Sequence, residues 1–202
     1  MKHAVILAHP RPRSFVRLLA QTYLEAVRDR DHEAELVDLY ALDFDPRLRP
    51  EELPSPVEAT SAAGVVAERK RLADVDVFCL VYPIWFGGPP AILKGYVERV
   101  FTAGFGYRSI KAGGQEPLLG GRRLISLTAS GSENAWFVES GGWDAIRASF
   151  DHRLAGATGL KVLDHVNYGG VDADLDPALV EKAVQGVRDV VAALDQGSWS
   201  AP

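Results

Sequence analysis

The stretch from Val75 to Gly95 constrains the fold of this chain more than any other. Val75-Asp76-Val77-Phe78-Cys79-Leu80-Val81-Tyr82 is almost unbroken in apolar and β-branched residues, the pattern of a strand covered on both faces in a parallel sheet. An antiparallel strand with one wet face would alternate apolar with polar residues instead. The run passes into Pro83-Ile84-Trp85-Phe86-Gly87-Gly88-Pro89, a loop of aromatic rings and glycines. Pro90 then stands near a helix start, and Ile92, Leu93, Tyr96, Val97, Val100 and Phe101 recur at helical spacing. Open parallel sheets bind ligands beyond the C-terminal ends of their strands, so this loop is a candidate site, and its rings suit a flat ligand.

The rest of the chain repeats the alternation. Ala4 to Ala8 reads as a strand, and Phe15, Leu18, Leu19, Thr22, Tyr23, Ala26 and Val27 share one face of a helix that Ser14 can cap. Glu33 to Leu39 gives a second strand, and Val57 to Leu72 a helix before the strand at Val75. Further on, Arg123 to Thr128 and Lys161 to Val166 read as strands, Trp143 to Leu154 as a helix, and Pro177 opens a last helix carrying Val180, Val184, Val187, Val191 and Leu194. Five strands alternating with helices predict an α/β fold, a doubly wound five-stranded parallel sheet with helices on both faces, in a single domain over 1–202. Two long irregular stretches, Ala41 to Pro56 and Gly104 to Gly121, interrupt the pattern, and loops of that length are commonly functional.

Composition narrows the ligands. The 202 residues are 47% hydrophobic and 24% charged, which suits one substantial core. A formal charge of -5 without a dense Lys/Arg run argues against a nucleic-acid or anionic-membrane surface, leaving small molecules as the expected ligands. Cys79, the single cysteine, lies inside the buried strand and reads as core. His3, His9, His32, His152 and His165 are scattered without ligand spacing, so no metal site is expected. The apolar run at the N-terminus is too short for a leader or a membrane span and reads as a first strand, with a cytoplasmic location and no membrane insertion expected.

Three strand-to-helix loops should meet at one sheet edge. The first, His9 to Ser14, offers Arg11, Arg13, a serine hydroxyl and the amides of a helix N-terminus, a setting for a phosphate or, equally, a capping serine beside solvated arginines. It contains neither G-x-G-x-x-G nor a Walker sequence, which disfavours an NAD-type Rossmann site or a P-loop NTPase. The second supplies Trp85 and Phe86 for stacking. The third, Thr128-Ala129-Ser130-Gly131-Ser132, has small side chains that admit close backbone approach. Phe105 and Tyr107 can fold back over the same ligand or belong to a surface excursion, and Trp136 can wall a pocket or pack a helix on the sheet. Trp143 likewise can wall a substrate pocket or fill a helix-sheet interface, the core reading being the one its helical setting favours, and Glu98 with Arg99 reads as a solvated or subunit-facing pair. No Ser-His-Asp arrangement or G-x-S-x-G elbow is legible, which disfavours hydrolysis.

Together these residues resemble the flavodoxin-like NAD(P)H:quinone reductases, a family that includes flavoprotein subunits of bacterial potassium-efflux systems. The resemblance is carried by Ala8-His9-Pro10 with Ser14-Phe15, Asp38-Leu39-Tyr40 with Asp43-Phe44-Asp45-Pro46, Pro83 to Trp85 with Pro90 to Tyr96, Glu98 to Phe101, and Gly104 to Tyr107. It implies FAD or FMN as cofactor and NAD(P)H as electron donor. His9, Arg13, Ser14 and Phe15 would hold the flavin phosphate region, Pro83, Ile84, Trp85, Phe86 and Gly87 would lie along the isoalloxazine, and Thr128, Ala129, Ser130 and Gly131 would bind its pyrimidine edge. It also implies a homodimer and two-electron, ping-pong reduction of a quinone or other electron-poor aromatic, with Phe105, Tyr107 and Trp136 in the substrate pocket. The alternative it implies is a flavin-binding regulatory subunit of a partner such as an ion-efflux system. Mammalian members carry a tyrosine and a histidine after the third loop; Asn134 to Trp143 contains neither, so no side chain is assigned as catalytic and the flavin carries the chemistry. Val16 stands where several FAD members have asparagine, which leaves FAD and FMN both open.

Overall fold

A computed structural model describes residues 1–53, 61–110 and 114–195. Five parallel strands, β1 (Lys2–Leu7), β2 (Glu33–Asp38), β3 (Val77–Pro83), β6 (Arg123–Ala129) and β7 (Lys161–Tyr168), form one sheet in the order β2-β1-β3-β6-β7. This is the doubly wound arrangement expected from the alternation. The helices between them are α1 (Phe15–Arg28), α2 (Ala63–Arg71), α3 (Ala91–Val100), α4 (Asn134–Glu139), α5 (Gly142–Ile146), α6 (His152–Thr158) and α7 (Pro177–Asp195). A π turn, Arg147–Asp151, joins α5 to α6 inside the expected Trp143 to Leu154 helix. Of the helix expected over Val57 to Leu72, residues 57–60 lie outside the described residues.

The unbroken apolar run of β3 follows from its place at the centre, with every residue from Val77 to Pro83 buried. Val77, Cys79 and Val81 face a core with α1 and α7, through residues such as Leu19, Tyr23, Val187 and Val191. Phe78, Leu80 and Tyr82 face a second core with Leu93, Tyr96 and Val100 of α3 and Leu154 of α6. A period of two divides one hydrophobic strand between two cores. Burial also pushes the Cys79 thiol well above its ordinary value, in keeping with a packing role. Among the described residues, no helix is long and apolar enough to cross a membrane.

The long stretch after β2 is pinned to α3. Phe44 packs edge-on against Tyr96 at 4.9 Å, and the Arg99 guanidinium lies 5.4 Å from the Phe44 ring centre. Arg99 donates Nε–H to one Glu52 oxygen and Nη2–H to the other, both at 2.9 Å, and also donates to the Asp45 carbonyl. Arg99 and Glu52 are both buried in this fork, which corrects the expectation of a solvated or subunit-facing Arg99. Breaking one partner would strand a buried charge, so the pair holds the loop in a single geometry. Glu98, by contrast, is half-exposed and pairs with Lys94 one turn earlier.

The second irregular stretch contains an antiparallel hairpin, β4 (Tyr107–Ile110) with β5 (Gly114–Pro117), in a sheet of its own. Its sequence is too polar to show strand alternation. Leu118 N–H donates to the Gly106 carbonyl and Leu119 N–H to the Thr158 carbonyl, which ties the hairpin to the end of α6.

Gly95 explains a glycine in the middle of α3. A Cβ there would lie 2.2 Å from the Pro46 carbonyl oxygen and 2.5 Å from Pro46 Cβ. Helix propensity alone favours alanine by about 1 kcal/mol. We expect Gly95→Ala to reverse that sign and destabilise by about 1–3 kcal/mol, because helix and loop must separate. Chemical denaturation checks this, and a rise in stability would show that the contact yields.

Candidate functional site

The strand ends are knitted beyond the sheet by main-chain bonds. Ala8 N–H donates to Val81 O at 3.0 Å, Ile84 N–H to Ala129 O at 2.8 Å, Ser130 N–H to Tyr168 O at 3.0 Å, and Val171 N–H to Ser130 O at 2.9 Å. Four strand-to-helix loops are thereby fixed around one cavity of about 530 Å³. The first loop lines it with His9, Arg11, Arg13, Ser14, Phe15 and Val16, the second with Pro83, Ile84 and Trp85, and the third with Ala129, Ser130 and Gly131.

Ten of the expected cofactor residues therefore meet: His9, Arg13, Ser14, Phe15, Pro83, Ile84, Trp85, Ala129, Ser130 and Gly131. Three do not line the cavity. Thr128 is buried with its hydroxyl turned into the protein interior, because side chains along a strand alternate between faces. Phe86 and Gly87 form the tip of a tight turn closed by Trp85 N–H to Gly88 O at 2.9 Å and Gly88 N–H to Trp85 O at 3.1 Å. Both tip residues have positive φ, 49° for Phe86 and 75° for Gly87, so the Phe86 ring is thrown fully into solvent. A phenylalanine in the left-handed region is strained, and such strain gathers at functional sites.

The expected substrate aromatics Phe105, Tyr107 and Trp136 also lie outside this cavity within one chain. Phe105 gains more by packing edge-on against Phe101, at 5.6 Å, on the second core. The Tyr107 hydroxyl is engaged with Thr102 Oγ1 at 3.1 Å. Trp136 is half-exposed on α4 and packs on Phe137 at 5.1 Å, whereas Trp143 is partly buried against Ile84, Phe137 and Ile146 and also lines a second cavity of about 280 Å³ with Phe137 and His165. The sequence reading missed the fourth loop, which brings Val171, Asp172, Ala173 and Leu175 to the cavity between β7 and α7. The signal was present: Gly169-Gly170 after a strand and Pro177 opening a helix mark another loop at the same sheet edge.

Polar groups set the chemistry of the first loop. Ser14 caps α1 by accepting from Arg17 N–H at 3.1 Å, while other first-turn amides have no acceptor inside the helix and favour an anion. Arg17 pairs with Asp38 at the end of β2, leaving Arg11 and Arg13 as the cations that line the cavity. Arg11 N–H donates to His9 Nδ1 at 3.0 Å, so a neutral His9 carries its proton on Nε2 as a donor. Burial lowers the His9 imidazole below its ordinary value, and the charges of Arg11 and Arg17 push the same way. Its ring lies 5.9 Å from that of Trp85.

Comparison with known proteins places this architecture. The profile of a family described as having a flavodoxin-like fold matches residues 1–191. The chain belongs to this family. Among flavodoxin-like relatives, it is 32% identical over 152 residues to NAD(P)H dehydrogenase [quinone] 1 of Cavia porcellus, covering 67% of this chain and 55% of that protein. It thus spans about half the length of that mammalian relative. It is 29% identical over 198 residues to an uncharacterized NAD(P)H oxidoreductase of Haemophilus influenzae, covering 96% and 98% of the two chains. The NAD(P)H:quinone oxidoreductase of Methanothermobacter marburgensis superimposes with a TM-score of 0.83 at 23% identity, over 96% of each chain, which establishes a shared fold.

Titration of His9 tests the anion site. In the ligand-free protein its imidazole is expected to titrate below 6.5, and a phosphomonoester such as FMN is expected to raise that value by stabilising the charged ring. By linkage, the phosphomonoester then binds more tightly as pH falls through the interval between the free and bound values. NMR titration of His9 with and without FMN reads both; an unmoved resonance would place the phosphate elsewhere.

Proposed function

We propose that this chain is a flavin-dependent NAD(P)H oxidoreductase that passes two electrons to a quinone or another electron-poor aromatic acceptor. The observation that carries the reading is one cavity with a cationic, amide-rich end at α1 and an aromatic wall at Trp85. That combination fits a flavin nucleotide, whose phosphate is anionic and whose ring system is flat and apolar on its faces. Bound there, a flavin supplies the redox step, accepting hydride from a nicotinamide and returning two electrons to the acceptor in a second half-reaction.

The protein's own residues bind and orient. Arg11, Arg13, Ser14 and the first-turn amides of α1 hold the phosphate, with His9 Nε2–H as a further donor. Pro83, Ile84 and Trp85 lie against the ring system, and the third loop, Ala129 to Gly131, meets its polar edge, where fixed main-chain dipoles stabilise charge that develops on reduction. Phe86, held outward by its turn, faces the acceptor or the second subunit of a homodimer. FMN and FAD are both compatible with the site. The same reading is supported by the likeness to the NAD(P)H dehydrogenase [quinone] and to the uncharacterized NAD(P)H oxidoreductase, and by a fold neighbour described as an FMN-dependent NADH-azoreductase of Bacillus anthracis in complex with FMN.

The visible spectrum decides it. The purified protein should show a bound flavin that bleaches on anaerobic addition of NADH or NADPH and recovers when a quinone is admitted, with parallel double-reciprocal lines in steady state. Phe86→Gly should relieve the turn and raise stability by about 1 kcal/mol while slowing acceptor reduction. A flavin that stays oxidised would overturn the enzymatic reading in favour of a regulatory subunit, and failure to bind either flavin would overturn the cofactor.

A further inference from the structure

Two helices begin side by side at the edge of the large cavity. α1 and α7 pack together on one face of the sheet, and the loops that lead into them, His9 to Ser14 and Val171 to Asp176, both contribute to the cavity wall. Their N-termini are finished in opposite ways. At α1 the cap is neutral: Ser14 Oγ accepts from Arg17 N–H at 3.1 Å and the Ser14 carbonyl from Leu18 N–H at 3.1 Å. The Phe15 and Val16 amides are left without an acceptor in the helix, the first turn holds no acidic residue, and Phe15 and Val16 line the cavity with Arg11 and Arg13. At α7 the first residue, Pro177, has no N–H. Asp176 Oδ1 accepts from Ala178 N–H at 2.9 Å, and the Asp176 carbonyl from Leu179 N–H at 3.0 Å and Val180 N–H at 3.2 Å. Every amide of that first turn is therefore missing or spent, and the cap is itself a carboxylate.

Charge repeats the asymmetry. Among the described residues Asp172 is the carboxylate that lines the cavity, and Asp174 and Asp176 follow it at two-residue spacing. Asp172 Oδ1 accepts from Asp174 N–H at 2.9 Å, a local turn that fixes the side chain. The start of the loop is tied to the third loop by Val171 N–H to Ser130 O at 2.9 Å and Gly170 N–H to Ser132 O at 3.2 Å, while Val171 and Leu175 pack on the core that α1 and α7 share. An acidic wall thus stands beside a cationic one. A phosphate at the start of α1 meets two free amides and two guanidinium groups; one displaced toward α7 meets no free amide and the carboxylates of Asp172, Asp174 and Asp176.

We propose that the cavity seats a single phosphate and that Asp172 makes it select a mononucleotide over a dinucleotide. On the flavin reading above, on which this rests, the preferred cofactor is FMN. FMN and FAD present the same ring system, ribityl chain and first phosphate, so both can enter, and selection is a difference of affinities. FAD continues into a second phosphate and an adenosine. The neighbouring helix N-terminus is the place at this edge where a second phosphate would ordinarily find amides, and here it is closed by Asp176 and fronted by Asp172. Asp172 is thereby a specificity residue that acts by repulsion: it gives FMN no bond and charges the competitor for its second anion.

The test titrates the full-length chain, freed of bound flavin, with FMN, FAD and riboflavin, and reads the dissociation constants from quenching of flavin fluorescence. The native protein is expected to bind FMN about tenfold or more tightly than FAD. Asp172→Asn removes the charge while its amide oxygen can still accept from Asp174 N–H, so the loop keeps its turn. In that variant FAD is expected to come within about threefold of FMN, with riboflavin, which has no phosphate, held within about twofold of its native value. Equal native affinities for FMN and FAD, or a gap that Asp172→Asn leaves unchanged, would overturn the proposal and leave the flavin reading standing. Failure of the native protein to bind any of the three would remove the flavin reading, and the proposal with it.

Discussion

The burial of β3 on both faces is the constraint on which the rest of this structure depends. Because Val77, Cys79 and Val81 point one way and Phe78, Leu80 and Tyr82 the other, helices must cover both sides, and β1 and β6 must flank it to satisfy its main-chain groups. Parallel neighbours in turn require crossover connections, which deliver every strand-to-helix loop to the same edge. The cavity is a consequence of that geometry. Its polar lining sits where helix N-termini and strand ends leave main-chain amides without partners inside regular structure.

The segment from Asp43 to Glu52 illustrates how a family-specific motif can serve the fold. Phe44, Asp45 and Pro46 are spent on α3, through the Tyr96 ring, the Arg99 guanidinium and the space left by Gly95. The Arg99–Glu52 fork is buried, and burial alone would raise the Glu52 carboxyl; the bonds and charge of Arg99 together with the main-chain N–H groups of Arg49 and Ala62 outweigh it and hold the group below its ordinary value. From sequence, Arg99 beside Glu98 looked like an exposed helical pair, because its partner stands 47 residues away and no local spacing reveals it.

At the site, legibility followed distance along the chain. His9, Ser14 and Trp85 were readable because each lies in a short loop between two recognisable elements, where a strand pattern changes to a helical one. Phe105 and Tyr107 lie outside the cavity of the single chain, and their place was not legible because the hairpin beginning at Tyr107 has no hydrophobic alternation and the segment is tied through Leu119 to Thr158 at the end of α6, far along the sequence. The hydrogen-bonded run from Asp151 through His165, Thr128 and Asn167 to Ser130 was invisible for the same reason. Its members come from the π turn, β7, β6 and the residue just after β6, and each alone looks like an ordinary core polar residue or a solvated one.

What the sequence determined by itself is the set of elements and their class. Apolar period two, apolar period 3.6 and the glycine and proline breaks between them are local properties, and they are enough to specify strands, helices and a parallel doubly wound sheet. What only the tertiary structure decided is which side chains meet: that Thr128 turns inward while Ser130 lines the cavity, that Phe86 is thrown outward, that Val171 to Leu175 close the site, and that His165 faces Asp151. Those outcomes depend on the relative depth of strand ends and on competition among buried polar groups for partners, quantities that no window of sequence contains.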